Sequence, residues 1–360
     1  MAYVKNGFVA NETIVTANAL NHMEDGIENA TQPHNYALDG VDLSTVFASA
    51  AAFHTALAAG DFSKIRVGDH WPLSLSGTFR DYGAYTVPSG TAYFTDAALT
   101  TQGGTTSAKI EGQYESATAV KFKVSGSDVY CAIGDCLDYF ERTCNNAVVN
   151  LEVAGINNYW RYGDSGDLTG NNKPHITFVS RDCLPFTMRM RKAISVWEST
   201  EETNPWRGSA LFKTLNDPDH GVVKLIAATD IGAYMYAGPN GGGMRALMET
   251  KAAGATTATG WGWAGRGKLF LPFESEIWGH GVWGGNSGYT LGVNLQLPIF
   301  VGTRRHISKG IGNGASRYAW WTASSDSGYA AAFCSVNTYG SPTTNTAVYA
   351  YGAPVCFVMI

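Results

Sequence analysis

The sequence is short of charge: 15% of its 360 residues are Asp, Glu, Lys or Arg, against about 25% in an ordinary soluble domain. Long apolar runs are also missing. No stretch approaches the ~18 uninterrupted apolar residues of a membrane-spanning helix. Met1 to Ala10 lacks the basic and then apolar layout of a secretory leader. The expectation is a chain that neither inserts in a membrane nor leaves the cell by a signal peptide. Basic clusters are scarce too, with 25 Lys and Arg against 30 Asp and Glu and a net charge of −5. Surfaces that neutralise phosphates depend on clustered cations, so nucleic acid is not an expected partner.

Catalytic and cofactor motifs are equally wanting. There is no His-Glu-x-x-His, no phosphate loop ending in Gly-Lys-Ser/Thr and no Gly-x-Ser-x-Gly elbow. Gly310-Ile311-Gly312-Asn313-Gly314 lacks the strand-to-helix setting of a dinucleotide loop. Asp217-Pro218-Asp219-His220-Gly221 has carboxylates two apart, but not the remaining ligands of a calcium loop. Glu274 and Glu276 read as first-turn helix carboxylates that favour the macrodipole, and His175 as a hydrogen-bonded core residue. The six cysteines (131, 136, 144, 183, 334 and 356) have no paired Cys-x-x-Cys spacing. In a chain long enough to build a core they read as buried, reduced thiols. No catalytic residue, metal or cofactor is expected.

What the chain has in excess is 42 Gly, 18 Tyr and 10 Trp, with glycine well above its ~7% average. Tight turns and aromatic plates in such number predict an irregular, loop-rich β fold. Thr16 is a plausible N-cap for a helix carrying Ala17, Leu20, Met23, Ile27 and Ala30, and Pro33 ends it. A second helical run places Leu43, Val46, Phe47, Ala50, Phe53 and Leu57 on one face and stops at Gly60. Narrow seams without a core of their own predict pairing between chains, with packing back on the same chain as the alternative. Residues 1–40 are thus expected to attach and assemble, and 41–64 to form a helical linker.

From Ile65 onward, short β-type runs alternate with Gly, Asn, Asp and Ser clusters. Strands are expected at Val120–Val124, Val148–Ile156, His175–Val179, Val222–Ala227, Leu269–Leu271 and Val355–Ile360. Helices are expected at Cys136–Cys144, Gly208–Leu215 and Glu274–Trp278. Without βαβ alternation this predicts a single α+β domain over 65–360.

Between Tyr318 and Tyr351 the deficit becomes extreme. Asp326 is the only charged residue, and Lys, Arg, Glu, Gln, His, Met, Leu and Ile are all absent. Ser, Thr, Asn, Gly, Ala and Tyr fill most positions, the palette of antibody loops, where Tyr gives rigid contact area and small polar groups give adaptable hydrogen bonds. In a strand over Cys334–Tyr339, Ser335, Asn337 and Tyr339 share one face while Cys334 and Val336 share the other. Tyr349 and Tyr351 would likewise face outward, ahead of an apolar last strand. A plain surface hairpin would show the same pattern.

Trp320-Trp321-Thr322-Ala323-Ser324, Val336-Asn337 and Gly352-Ala353-Pro354-Val355-Cys356-Phe357 resemble the C-terminal region of retroelement-diversified phage variable proteins of the major-tropism-determinant type. Leu271–Gly279 and Trp206–Asn216 are similar to elements of lectin-fold domains, and Thr16–Ile27 to the start of phage tail and receptor-binding proteins. The resemblance implies a C-type lectin fold of the formylglycine-generating-enzyme-like subtype, behind a short N-terminal assembly segment. It implies adenine-directed codon replacement that can yield Asn, Ser, Thr, Tyr, Asp, Gly or Ala but not Lys, Glu, Gln, Met or Trp.

Combined with outward parity, the resemblance places ligand-contacting positions at Tyr318, Asp326, Ser327, Tyr329, Ser335, Asn337, Tyr339, Ser341, Asn345, Tyr349 and Tyr351. Trp320 and Trp321 fall to the scaffold, one of them a candidate floor of the site. The function implied is a phage receptor-binding tail protein, a homotrimer in the virion, assembled in the bacterial cytoplasm. Its partners would be a host-cell surface receptor, protein or glycan, and other tail proteins. A structural tail or baseplate protein and a bacterial surface-displayed variable protein are the rival readings. Two departures stand out: Gly352-Ala353-Pro354 lacks the family's arginine at that turn, and the motifs of calcium-dependent sugar lectins are absent. The related formylglycine-generating enzymes need a reactive cysteine pair, whereas Cys334 and Cys356 lie in β segments where burial is expected.

Overall fold

The computed structural model describes residues 40–159, 173–193, 204–250, 260–284, 296–301, 306–312, 316–329 and 331–360. The helix expected over Thr16–Pro33, and the whole 1–39 assembly segment, lie outside the described residues. Val41–Ile360 forms one compact unit, mixed α+β and rich in strands.

Its centre is a four-stranded antiparallel sheet of β1 (His70–Asp81), β8 (Phe140–Ile156), β9 (Ile176–Ser180) and β19 (Cys356–Met359), in the order β1-β8-β9-β19. The last residues of the chain are therefore paired in the core. Between β1 and β8 the chain builds a lobe from β2 (Tyr85–Val87), β3 (Ala92–Phe94), β4 (Gln102–Thr105), β5 (Ile110–Tyr114), β6 (Ala119–Val124) and β7 (Ser127–Ala132). This lobe closes over its own cluster of Val87, Val120, Phe122, Val129 and Cys131.

Two helices open the described unit, α1 (Leu43–Val46) and α2 (Ala50–Ala58). The side chains of Asp42 and Ser49 cap them by accepting from the amides of Ser44 and Ala52. Residues 41–64 are not a linker, and these helices do not wait for another chain. Leu43, Phe53 and Leu57 are fully buried, and the Phe53 ring packs on Trp71 at 5.6 Å and Phe178 at 6.2 Å. The apolar seam finds its partner in the central sheet of the same chain.

The strands expected near Val120, Val148, His175 and Val355 coincide with β6, β8, β9 and β19, and helices α3 (Ala210–Asn216) and α5 (Glu274–Trp278) lie where the pattern places them. Three expectations fail. Val222–Ala227 is a helix, α4. Its β-branched start suggested a strand, but Val222, Val223, Leu225 and Ile226 bury a helical face, and Leu225 fills the space left by Gly77 on β1. Cys136–Cys144 is not a helix. From Phe140 it is strand β8, drawn to β1 as Arg142 pairs with both Asp81 and Glu111 at 2.8 Å. Leu269–Leu271 touches β19 only through a bridge from Phe270 to Cys356.

His175 is a core residue: its Nε2 accepts from the Tyr159 amide at 3.0 Å, Nδ1 donates to the Lys173 carbonyl, and burial lowers its pKa. Beside it lies a fully buried ionic cluster. Arg266 grips Glu276 with two parallel bonds of 2.7 and 2.6 Å, and Tyr159 donates to the same carboxylate. The guanidinium lies over the rings of Phe270 and Phe273, at 4.0 and 4.5 Å. Burial pulls the Arg266 pKa down, but Glu276 and Tyr159 outweigh it and hold the cation charged. Burial, then the charge of Glu276, drives the Tyr159 hydroxyl well above its usual range. Arg266→Met would strand the carboxylate and is expected to cost about 3–5 kcal/mol in urea unfolding. Arg266→Met/Glu276→Leu should recover part of it, and a loss under ~1 kcal/mol for the single variant would contradict this account.

Candidate functional site

After the short strands β10 (Met188–Arg189), β11 (Arg245–Thr250), β12 (Gly260–Gly265) and β13 (Lys309–Gly310), residues 317–351 fold as β14 (Arg317–Tyr318), β15 (Trp320–Ser325), β16 (Ala332–Val336), β17 (Pro342–Thr346) and β18 (Ala350–Tyr351). The middle three form an antiparallel sheet in the order β15-β16-β17. Trp320 and Trp321 are fully buried scaffold residues. Their indole N–H groups donate to the carbonyls of Ile307 at 2.8 Å and Met188 at 3.0 Å. Adjacent strand residues point to opposite faces, so two tryptophans bury both sides of β15.

The expected turn without its arginine is secured by the backbone. The amide of Gly352 donates to the Ala319 carbonyl, and its carbonyl accepts from Trp321. A Cβ on Gly352 would lie 2.6 Å from the Cys183 sulfur. Glycine is needed there for close approach, and no ion pair is required to hold the turn. Cys334 and Cys356 are fully buried, and burial pushes the Cys356 thiol up, away from the thiolate that a reactive cysteine needs.

One end of this sheet opens into a cleft of about 650 Å³, lined by Val282, Trp283, Asp326–Tyr329, Ala332 and Thr344–Thr346. Trp283 is half exposed, at 49%, yet its backbone is held on both sides. Glu274, buried at the start of α5, accepts through one oxygen from the amides of Val282, Trp283 and Gly284 at 3.0, 3.0 and 2.7 Å. From the other side, the amide and hydroxyl of Ser327 both donate to the Trp283 carbonyl. The loop after β15 is closed in turn by Asp326, whose carboxylate accepts from Gly328 at 2.6 Å, and by the amide of Ala332 donating to the Tyr329 carbonyl. The aromatic side chains at the cleft therefore stand on fixed backbone.

The structure does not bring the eleven expected positions onto one face. Asp326, Ser327, Tyr329 and Asn345 meet at the cleft. Tyr318, Tyr349 and Tyr351 form a second group: the Tyr349 and Tyr351 rings stack at 6.3 Å, and Tyr351 packs on Trp321 at 4.7 Å. Burial, followed by the phenols of Tyr349 and Tyr318, raises the Tyr351 pKa. Asn337, Tyr339 and Ser341 sit in the turn between β16 and β17. Register places that turn at the far end of the sheet from the cleft, since Ala332 pairs with Thr346 and Val336 with Pro342.

Tyr318, Tyr329, Tyr339 and Tyr349 are exposed, between 40% and 73%. Two positions contradict outward parity. Ser335 is fully buried because β16 is the central strand and is covered on both faces. Its hydroxyl accepts from Asn345 at 3.2 Å. Asp326 is buried at the cleft and serves its loop. Ser327 likewise positions Trp283, and Asn337 accepts from the amides of Tyr339 and Ser341 to shape the turn.

Sequence reasoning missed Trp283, Val282, Thr344 and Thr346, and it missed that Glu274 anchors the cleft wall. The one available signal was a tryptophan among glycines in Gly281-Val282-Trp283-Gly284-Gly285, a pattern that permits a tight, exposed loop. No protein-family model matches the chain, and neither a curated protein nor a solved structure matches it. Glu274→Ala should release the wall: amide hydrogen exchange at 282–284 is expected to speed up by tenfold or more while β19 stays protected. Unchanged exchange in that loop would contradict the anchoring role.

Proposed function

We propose that the chain is a receptor-binding protein of a phage tail, a C-type lectin-like scaffold that presents a diversified ligand-binding surface. One observation carries the reading. Four tyrosines stand exposed on residues 318–351 while the strands beneath them are buried, so contact groups and fold-determining groups are separate. Exchanging an exposed tyrosine of this kind changes stability by no more than about 0.5 kcal/mol, whereas forcing a larger side chain into a packed site such as Ser335 costs about 1–3 kcal/mol. A surface built this way tolerates replacement of its contacts. The pairing of the last strand in the central sheet supports the lectin-like reading, because it pins the variable region from its C-terminal side.

Trimerisation through the N-terminal segment would add avidity of ~100-fold or more when the receptor geometry permits it. Sequencing codons 318–351 from many independent isolates tests the reading. Replacements should concentrate at Tyr318, Tyr329, Tyr339 and Tyr349 and spare Trp320, Trp321, Phe333 and Ser335. A uniform 3′ end, or changes spread evenly over buried and exposed codons, would contradict it and favour a structural tail protein.

A further inference from the structure

The geometry points to a neutral sugar unit of a surface glycan as the occupant of the cleft beside Trp283, bound without calcium. This inference rests on the receptor-binding reading and names the ligand class of the same site. At about 650 Å³ the cleft has the size of a small-ligand site, which runs from roughly 300 to 1,000 Å³, and it lies open to solvent, where one unit of a longer glycan can enter.

Its chemistry is amphipathic. The rings of Trp283 and Tyr329 are 49% and 64% exposed and can stack on the C–H face of a pyranose. Thr344 and Thr346, which share one face of β17, line the same cleft, and their hydroxyls suit those of a sugar, which both donate and accept. Among the described residues no Lys, Arg or His lines it, and the charged side chain there is the carboxylate of Asp326. Such a lining offers nothing to an acidic sugar or a phosphate and suits a neutral one. Calcium takes six to eight oxygen ligands, and among the described residues no group of three or more acidic, His or Cys side chains gathers for a metal. The backbone of Trp283 is held by Glu274 and Ser327, and that of Tyr329 by the amide of Ala332, before any ligand arrives, so little backbone ordering is needed on binding.

The test is a printed array of neutral and acidic oligosaccharides probed with the full chain in EDTA, followed by adhesion to bacterial envelopes treated with periodate or with protease. Retention of neutral oligosaccharides in EDTA is expected. Trp283→Ala and Tyr329→Ala should weaken it at least tenfold at an unchanged melting temperature, while Lys123→Ala, on the exposed surface of the β2–β7 lobe, leaves it within twofold. Adhesion should be lost to periodate and survive protease. Retention that requires calcium, retention of acidic sugars only, or neutral binding indifferent to both cleft variants would overturn the inference. Adhesion destroyed by protease and spared by periodate would also overturn it, and would leave the receptor-binding reading standing with a protein receptor. Failure to adhere to any envelope, or to retain any sugar, would overturn both.

Discussion

A carboxylate removed from water must be answered by its surroundings, and α5 places two of them, Glu274 and Glu276, within a single turn. They are answered from opposite directions. Glu276 reaches into the core, where Tyr159 and Arg266 bind it, the guanidinium itself lying over the rings of Phe270 and Phe273. Glu274 reaches toward the surface, where three backbone amides of the 282–284 loop converge on one oxygen. The short helix thus couples the packed interior to the wall of the cleft. The amide of Glu274 also donates to the hydroxyl oxygen of Ser324 on β15, which ties the same pin to residues 318–351.

Rigidity below and latitude above follow from this arrangement. Trp320 and Trp321 fix β15 through their indole N–H groups, and Gly352 allows the chain to pass against Cys183 on its way into β19. What remains for solvent is a set of tyrosines on loops and strand ends. Their rings bring contact area with few rotatable bonds. They are divided between a cleft, a stacked pair and a hairpin turn, of which only the cleft and the hairpin turn belong to the β15-β16-β17 sheet.

Much of the fold was legible from patterning. The apolar ending Val355–Ile360 declared a buried strand, and the run Gly208–Leu215 declared a helix, which the structure places at Ala210–Asn216 behind a capping Ser209. The failures have physical causes. β-branched residues at 222–223 imitate a strand until Leu225 meets the space over Gly77. Ser335 obeys period-two alternation, but alternation reports solvent only when one face of a sheet is open, and β16 is covered on both. Glu274 and Glu276 do stand in the first turn of α5, as expected, but their burial was not legible, because the arginine and the amides that answer them come from outside the helix. Trp283 lay outside the compositional anomaly of 318–351, so nothing in that segment called attention to it.

The central claim is that the packed scaffold is indifferent to the identity of its exposed tyrosines. Protease resistance across a library randomised at Tyr318, Tyr329, Tyr339 and Tyr349 together measures this most directly. Most members should resist digestion as the parent does, while a companion library at Glu274, Glu276, Ser335 and Trp321 should be largely cleaved. General loss of resistance in the tyrosine library would contradict the account.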